Sequence, residues 1–571
     1  MSARAYAAVP VVAADRALPA QWADRLVEVR VETSDTAPAF AALRFRDPGH
    51  QLLTGTGIGI GTPLTVSAVT VATRRQVRLF TGEVTGLASE YGDDGTFTVL
   101  RAHDQAHRLT QGRRLAVWPG TTLGQVVSDL ARQASLKVGQ VTESAAKYPR
   151  LVQPNITDWQ FLRSLAEVHG AVVAVEDGVL SLVPPAPAGT APDPRQGDSQ
   201  NPYLLTYGEN LLALDVAVDA TGPVGAIEVR GWNRDTKEPL VEDATVGASD
   251  QVKIGTTAGD LAKTFTGESI TELVATRYAL EYHLPAAAKS FAGAAAAAFA
   301  ELEATVAGTP ELKAGSAVTL AGVGPPFTGR YTVTGAKHLF DPDHGYRTQV
   351  SVSSRQRSGG PAVAGPAASA IPGLAIGVVA DVREPDDVQS GAVKVTFPWL
   401  DDNYTSDWAR TLQWGGVGGG GVISPSQGDE VLVGFEQGRL DRPYVLGGLY
   451  NGKDKPSDDP VPLTTDAGKV NRRSLSSRGG DRIDLLDTDE EPGVLLTTGD
   501  GNVQIRLDRA SGALTLTAAT ISFEASDGIV IKSAKDISLE SDASVAIKAP
   551  QEISLKADAS IVINAPKVDV K

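Results

Sequence analysis

Between Ile521 and Pro566 an eight-residue pattern repeats six times with no insertion or deletion. Its first position is Ile521, Ile529, Ile537, Val545, Ile553 and Ile561, and its third is Phe523, Ile531, Leu539, Ile547, Leu555 and Ile563. Apolar residues two apart put both side chains on one face of a strand. The fifth position is always Ala or Ser, and the sixth holds Ser526, Ala534, Asp542, Pro550, Asp558 and Pro566, so each octad is predicted to be a short strand followed by a corner. Proline at one phase of the repeat would break a helix each time, which excludes a helical repeat.

Two inward side chains per strand make too thin a core for one chain to wind around, so the pattern calls for partners. Three copies wound together would form a triangular prism. Each octad would cover one face, the apolar pair would point at the axis, and neighbouring strands on a face would belong to different chains. With strands about 4.8 Å apart, six octads would make a needle roughly 30 Å long. The twelve apolar residues above are therefore the candidate trimer interface. A single-chain solenoid is the competing reading, but hexapeptide and nonapeptide repeats have the wrong period and the glycine–aspartate calcium signature is absent.

The other residues, of 571 in all, have room for several domains, and 59 glycines with 34 prolines favour short strands and turns. With no cysteine there is no disulfide and no thiol chemistry. A net charge of −16, tripled in a trimer, opposes binding to nucleic acid. No stretch of eighteen apolar residues suggests a membrane span. The apolar run after Arg4 is short and broken by Pro10, so the expectation is a product made in the cytoplasm without a signal peptide.

Alternating segments such as Leu26–Val31 and Phe97–Leu100 predict a first β-barrel over 1–110. Two helices, one capped by Thr122 and one starting near Thr157-Asp158 and stopping at Gly170, place an α/β insertion over 111–200. Strands return in a second barrel over 201–357, interrupted by an alanine-rich helix, Pro285–Ala300. A linker over 358–372 precedes a unit over 373–452 with the size and rhythm of a five-stranded OB barrel, whose acidic balance argues against nucleic acid. A neck, 453–520, leads into the needle, 521–571. The fold class is thus mainly β and multidomain: two tube-like β-barrels with a small α/β insertion, an OB-fold barrel, and an intertwined triple-stranded β-helix needle.

Two motifs invite chemistry. Gly55-Thr56-Gly57-Ile58-Gly59-Ile60-Gly61 is glycine-rich, but a strand rather than a helix follows Pro63, so it is read as a flexible connection and not a phosphate loop. His103-Asp104-Gln105-Ala106-His107 has the histidine spacing of a zinc protease, yet Asp replaces Glu and no third ligand is near; a strand-to-helix junction is the expectation. No catalytic residue, metal or cofactor is assigned.

Within 373–455 a long ordered set of residues resembles the OB module of contractile-injection spike proteins, the VgrG family and its phage tail-spike relatives. It comprises Gly391–Trp399, Trp408-Ala409-Arg410, the glycine run Gly415–Gly421, Gly428–Phe435 and Asp441–Asn451. Asp158–Leu162 through Gly170 and Gly329–Val333 with His338 and Gly345–Thr348 are similar to phage hub motifs, and Ser477–Ile483 to the family's lead-in to the needle. The resemblance implies a non-enzymatic homotrimeric hub and spike, within an injection particle of cytoplasmic, membrane-anchored or released type. Its two barrels per chain would seat a sixfold inner-tube protein, baseplate proteins would surround it, and the needle would meet the target membrane only mechanically. It further implies a PAAR-repeat tip protein against Ile561, Ile563, Val568, Val570 and Lys571, and cargo effectors as further partners. Only about twenty residues, Gly452 to Arg472, separate OB barrel and needle, too few for the lysozyme domain some relatives carry. A cell-wall hydrolase and a receptor-binding tail fibre are the alternatives; the first needs a paired-carboxylate cleft that no segment advertises, the second an aromatic-rich head.

Overall fold

The computed structural model describes residues 7–569 apart from 71–73, 143–146, 194, 196–200, 234–237, 266, 268–270, 276–283, 354–372, 386–389, 417 and 457–460. The expected linker, 358–372, lies outside the described residues. The chain divides into two units, Met1–Leu449 and Tyr450–Lys571.

In the first unit, alternation along Leu26–Ser34 and Phe40–Arg46 buries Val29, Val31, Ala41, Leu43 and Phe45 on one face. These strands belong to a twelve-stranded antiparallel sheet that also includes Pro63–Thr70, Gln76–Gly92 and Gly95–His103. The sheet does not stop at the end of the N-terminal region. Strand Gly335–Asp341 pairs with Leu26–Ser34, from Gly335 opposite Ser34 to Phe340 opposite Val29, and carries with it Gly345–Val352, Ala300–Ala307 and Leu211–Val218. The two barrel-like regions are thus two apolar cores on one continuous sheet. Phe340 and Tyr346, stacked 4.0 Å apart, extend the second region into the first core.

The second core is closed by the helix Leu284–Ala297, which begins one residue before the predicted alanine-rich segment and ends three residues short of its end. Its small side chains let it lie against strands Ala226–Asn233 and Glu238–Thr245.

The insertion forms its two predicted helices, Leu123–Gln133 and Asp158–Val168. Each opens on a capping box, Thr122 with Gln125 and Thr157 with Gln160, in which hydroxyl and amide satisfy each other's backbone N–H. After the second helix the chain turns at Gly170, whose φ of +63° a glycine adopts without strain. A two-stranded sheet, Arg114–Thr121 with Tyr148–Ile156, connects insertion to OB barrel: Val152 shares a core with Val379, Val395, Phe397, Tyr404 and Val433, and Arg150 Nη2 donates to Thr405 O at 2.5 Å. The OB strands are Leu374–Asp381, Lys394–Phe397, Asp401–Thr405, Arg410–Thr411, Glu430–Phe435 and Pro443–Gly448.

The second unit begins with an antiparallel meander of five strands, Arg472–Ser476, Arg482–Leu486, Gly493–Thr497, Gln504–Asp508 and Leu514–Thr517. From 521 to 569 the chain bends at 526–527, 534–535, 542–543, 550–551, 558–559 and 566, the corners the octads predict. Between them no strand forms: a strand needs a ladder partner, and in a single copy each octad has none.

Candidate interaction surface

Strand registry brings the neck's apolar residues into two rows on one face. Leu475 lies opposite Ile483, then Leu496, Ile505 and Leu516; two residues along, Leu485 lies opposite Val494, then Leu507 and Leu514. Seven of these, Leu475, Ile483, Leu485, Ile505, Leu507, Leu514 and Leu516, are 38–62 % exposed. The reverse face is mostly polar, with Leu486 and Leu495 among its residues, and its middle is covered. There Asp484 is buried against Arg482, Nε to Oδ2 2.8 Å, and Arg472 Nε donates to Val461 O at 2.8 Å. A sheet that folds for one copy in water buries its apolar side and wets the other. This one leaves its more apolar side exposed, which marks that face as a surface meant to be covered.

The octads continue the pattern. The six first-position residues are 47–58 % exposed and the six third-position residues, Phe523, Ile531, Leu539, Ile547, Leu555 and Ile563, are 64–71 % exposed. Burying such side chains contributes about 1–2 kcal/mol each, while ordering an extended residue costs about 1–2 kcal/mol of chain entropy. A single copy gains nothing from the first term and bears all of the second. At the end of the needle Ile561, Ile563 and Val568 are likewise exposed; Val570 and Lys571 lie outside the described residues.

The neck rows were not singled out in the sequence. Their signal is there, a Leu-x-Leu or Ile-x-Leu spacing at Ile483/Leu485, Ile505/Leu507 and Leu514/Leu516, but it does not say which face is bare.

The two motifs that invited chemistry are structural. Gly55 and Thr56 end a short helix, Leu52–Thr56, where a connection was expected; Gly57 at φ +71° is its C-terminal cap, so the glycines follow the carbonyl end of a helix, the wrong end for a phosphate. His103 ends a strand and Asp104 caps a 3₁₀ turn, Gln105–Thr110, accepting from Ala106 N and from Ala39 N, both at 3.0 Å. His107 Nδ1 donates to Asp104 O at 2.8 Å, and His103 Nδ1 lies 2.7 Å from Thr85 Oγ1. Burial outweighs the two backbone donors and pushes the Asp104 carboxyl up to about 6. Among the described residues no group of three or more His, Asp or Glu could hold a metal.

Two family models match the chain: the Alg8 N-terminal domain over residues 72–341, and the type VI secretion system/phage-baseplate injector OB domain over residues 375–450. The chain is 36 % identical over 110 residues to the type VI secretion system spike protein VgrG4b of Pseudomonas aeruginosa, which is 18 % of this chain and 13 % of that protein. To VgrG5 of the same organism it is 48 % identical over 73 residues, 12 % of this chain and 9 % of that one. The chain thus spans a small part of the curated relatives it matches. Among solved structures, a chain of a PdpA–VgrG complex, lidless, superposes with a TM-score of 0.52 at 10 % identity over 90 % of this chain and 99 % of that one. The lidded Francisella complex gives 0.51 at 10 % over 91 % and 81 %. At that identity the likeness is one of fold. The chain resembles VgrG spike proteins, and its architecture is mainly β with an OB-fold domain.

Proposed function

We propose that this chain is the homotrimeric hub and spike of a contractile injection apparatus, driven into a target envelope when a sheath contracts. One observation carries the reading: from Leu475 to Ile563 the second unit holds apolar residues at strand spacing, in the neck rows and at the first and third positions of every octad, most of which its own chain leaves exposed. Sister copies are the covering that needs no further assumption, since the surface then covers itself. Three is the number that suits a strand-and-corner octad, because three faces return each chain to its starting side.

The hub would seat the inner-tube protein. Because neighbours in the long sheet run antiparallel, the hairpins Gln76–His103 and Gly335–Val352 turn at the same edge, so each protomer offers two hairpin tips to one side. Three protomers would offer six, matching a sixfold tube. Baseplate proteins and cargo effectors would bind around this core, and a PAAR-type tip protein would cap Ile561, Ile563 and Val568. The target membrane is met mechanically, and catalysis is no part of the role.

The test is mass in solution. The full chain is expected at three times its single-copy mass by light scattering. Ile547→Asp, which would set three unpaired carboxylates about the axis, is expected to abolish that species while the hub and OB barrel stay folded, at a cost of several kcal/mol. A wild-type chain with a folded needle and single-copy mass would sink the proposal.

A further inference from the structure

The fourth position of the octads carries Glu524, Lys532, Glu540, Lys548 and Lys556, alternating in sign through the first four. With the first and third positions facing the axis, the fourth faces outward on the strand. All five side chains are exposed, and among the described residues none makes an ion pair within its own chain. Their nearest chain neighbours of opposite sign at this phase are a full octad away, beyond a corner.

Resting on the trimeric reading above, we infer that these charges form an interchain ladder that selects the register in which the three copies wind. The geometry follows from the octad. Each chain moves on by one face and one strand spacing per octad, so the strand beside octad n of one copy is octad n+1 of a sister. All strands on a face run the same way, and equal positions lie side by side about 4.8 Å apart. On every face the order of outward charges is therefore Glu524, Lys532, Glu540, Lys548, Lys556, each from a different copy than the one before. Three neighbouring pairs are opposite in sign and one, Lys548 beside Lys556, is alike. Opposite charges facing across strands stabilise a pair, and like charges destabilise it.

The alternatives score worse. Slipping one copy by an octad leaves the contacts between the other two unchanged but spoils its own: on one side each of its octads meets the same octad of a sister, Glu beside Glu and Lys beside Lys, and on the other Glu524 meets Glu540 and Lys532 meets Lys548, with Glu540 and Lys556 the one opposite pair it keeps. The apolar positions make this distinction poorly, because apart from Phe523 they hold Ile, Leu or Val in every octad and a slipped core is still apolar. Outside the corner positions, which also vary, charge at the fourth position is the strand feature that changes sign from octad to octad and so can tell one register from the next. It resembles the use of flanking charges to set partner alignment in coiled coils.

Two variants with the same composition and net charge as the wild type separate this from any general charge effect. The scramble K532E/E540K places like beside like at 524/532 and at 540/548. The inversion E524K/K532E/E540K/K548E restores alternation with every sign reversed, and makes 548/556 opposite as well. Full-length wild type, scramble and inversion would be heated in low salt while the mass is followed by light scattering. The expected order is a trimer midpoint lower by about 5 °C or more for the scramble, wild-type or higher for the inversion, with the gap narrowing at 1 M salt. Equal midpoints for wild type and scramble, with both trimeric, would overturn the ladder and leave the trimer standing. An inversion no better than the scramble would also overturn it. A single-copy mass for the wild type would remove both.

Discussion

His338 lies where the two β regions join. Its Nε2 donates to Leu312 O at 2.9 Å, so its Nδ1 is the acceptor for the Tyr346 hydroxyl, also at 2.9 Å. The ring is 2 % exposed, and burial pushes its pKa down to about 4 from 6.5. An unfolded chain takes up the proton as pH falls through 6.5, whereas the folded chain declines it until about 4. Stability is full above 6.5 and is lost as pH falls toward 4, by about 2 kcal/mol at pH 5. Asp104 has the opposite sign: its folded carboxyl holds a proton up to about 6, so its contribution is present at low pH and lost as pH rises from about 4 to 6. Replacing His338 by Gln should therefore remove the histidine's share alone. Urea unfolding of both proteins at pH 7 and pH 5 is expected to show a stability drop about 2 kcal/mol smaller in the variant; equal drops would rule out a neutral buried imidazole. Gly82 makes a second demand at this scale. A Cβ there would sit 2.1 Å from His103 O across the paired strands, so Gly82→Ala should cost about 2–3 kcal/mol, read as a lowered thermal midpoint of the hub.

At the scale of elements, the docking of the OB barrel on the insertion hangs on a few side chains. Val152, from the insertion, is nearly covered by the OB core, and Arg150 reaches across to Thr405 O. Val152→Asp would strand a carboxylate among Val379, Phe397 and Val433. Limited proteolysis should then release the OB barrel at a protease dose that leaves the wild type intact; matched digestion patterns would count against the seam. Val152 did not stand out in the sequence, because a valine in a short strand looks the same whichever domain it packs against. What was legible was local. The Thr122 cap, the Thr157 start, the stop at Gly170 and the corners of the octads are written in neighbouring residues. What was not legible was distant or relative: the pairing of Gly335–Asp341 with Leu26–Ser34 joins segments some three hundred residues apart, and the bare side of the neck depends on segment 461–471 covering the other. The octad strands form the limiting case, since their corners can be read but within one copy they have no ladder partners, and the proposed trimer would supply them from sister chains.

For the whole molecule, the neck and the octads would make separate contributions to the proposed trimer, and the two can be pulled apart. Leu485 and Leu507 flank Val494 in one cross-strand row and are 50 % and 44 % exposed in a single copy. Completing the burial of each contributes about 1 kcal/mol, so a trimer gains roughly 6 kcal/mol from these two positions. L485D/L507D would forfeit that gain and bring six carboxylates together, whereas Thr515→Asp adds its charge to the polar side of the same sheet. Sedimentation at micromolar concentration is expected to show the double variant dissociating by tenfold or more relative to wild type and Thr515→Asp remaining trimeric. If both variants dissociate, the neck responds to charge alone and its apolar rows are not the contact. If neither does, the octads hold the assembly without the neck, and the neck's exposed apolar face must be covered by something other than sister chains.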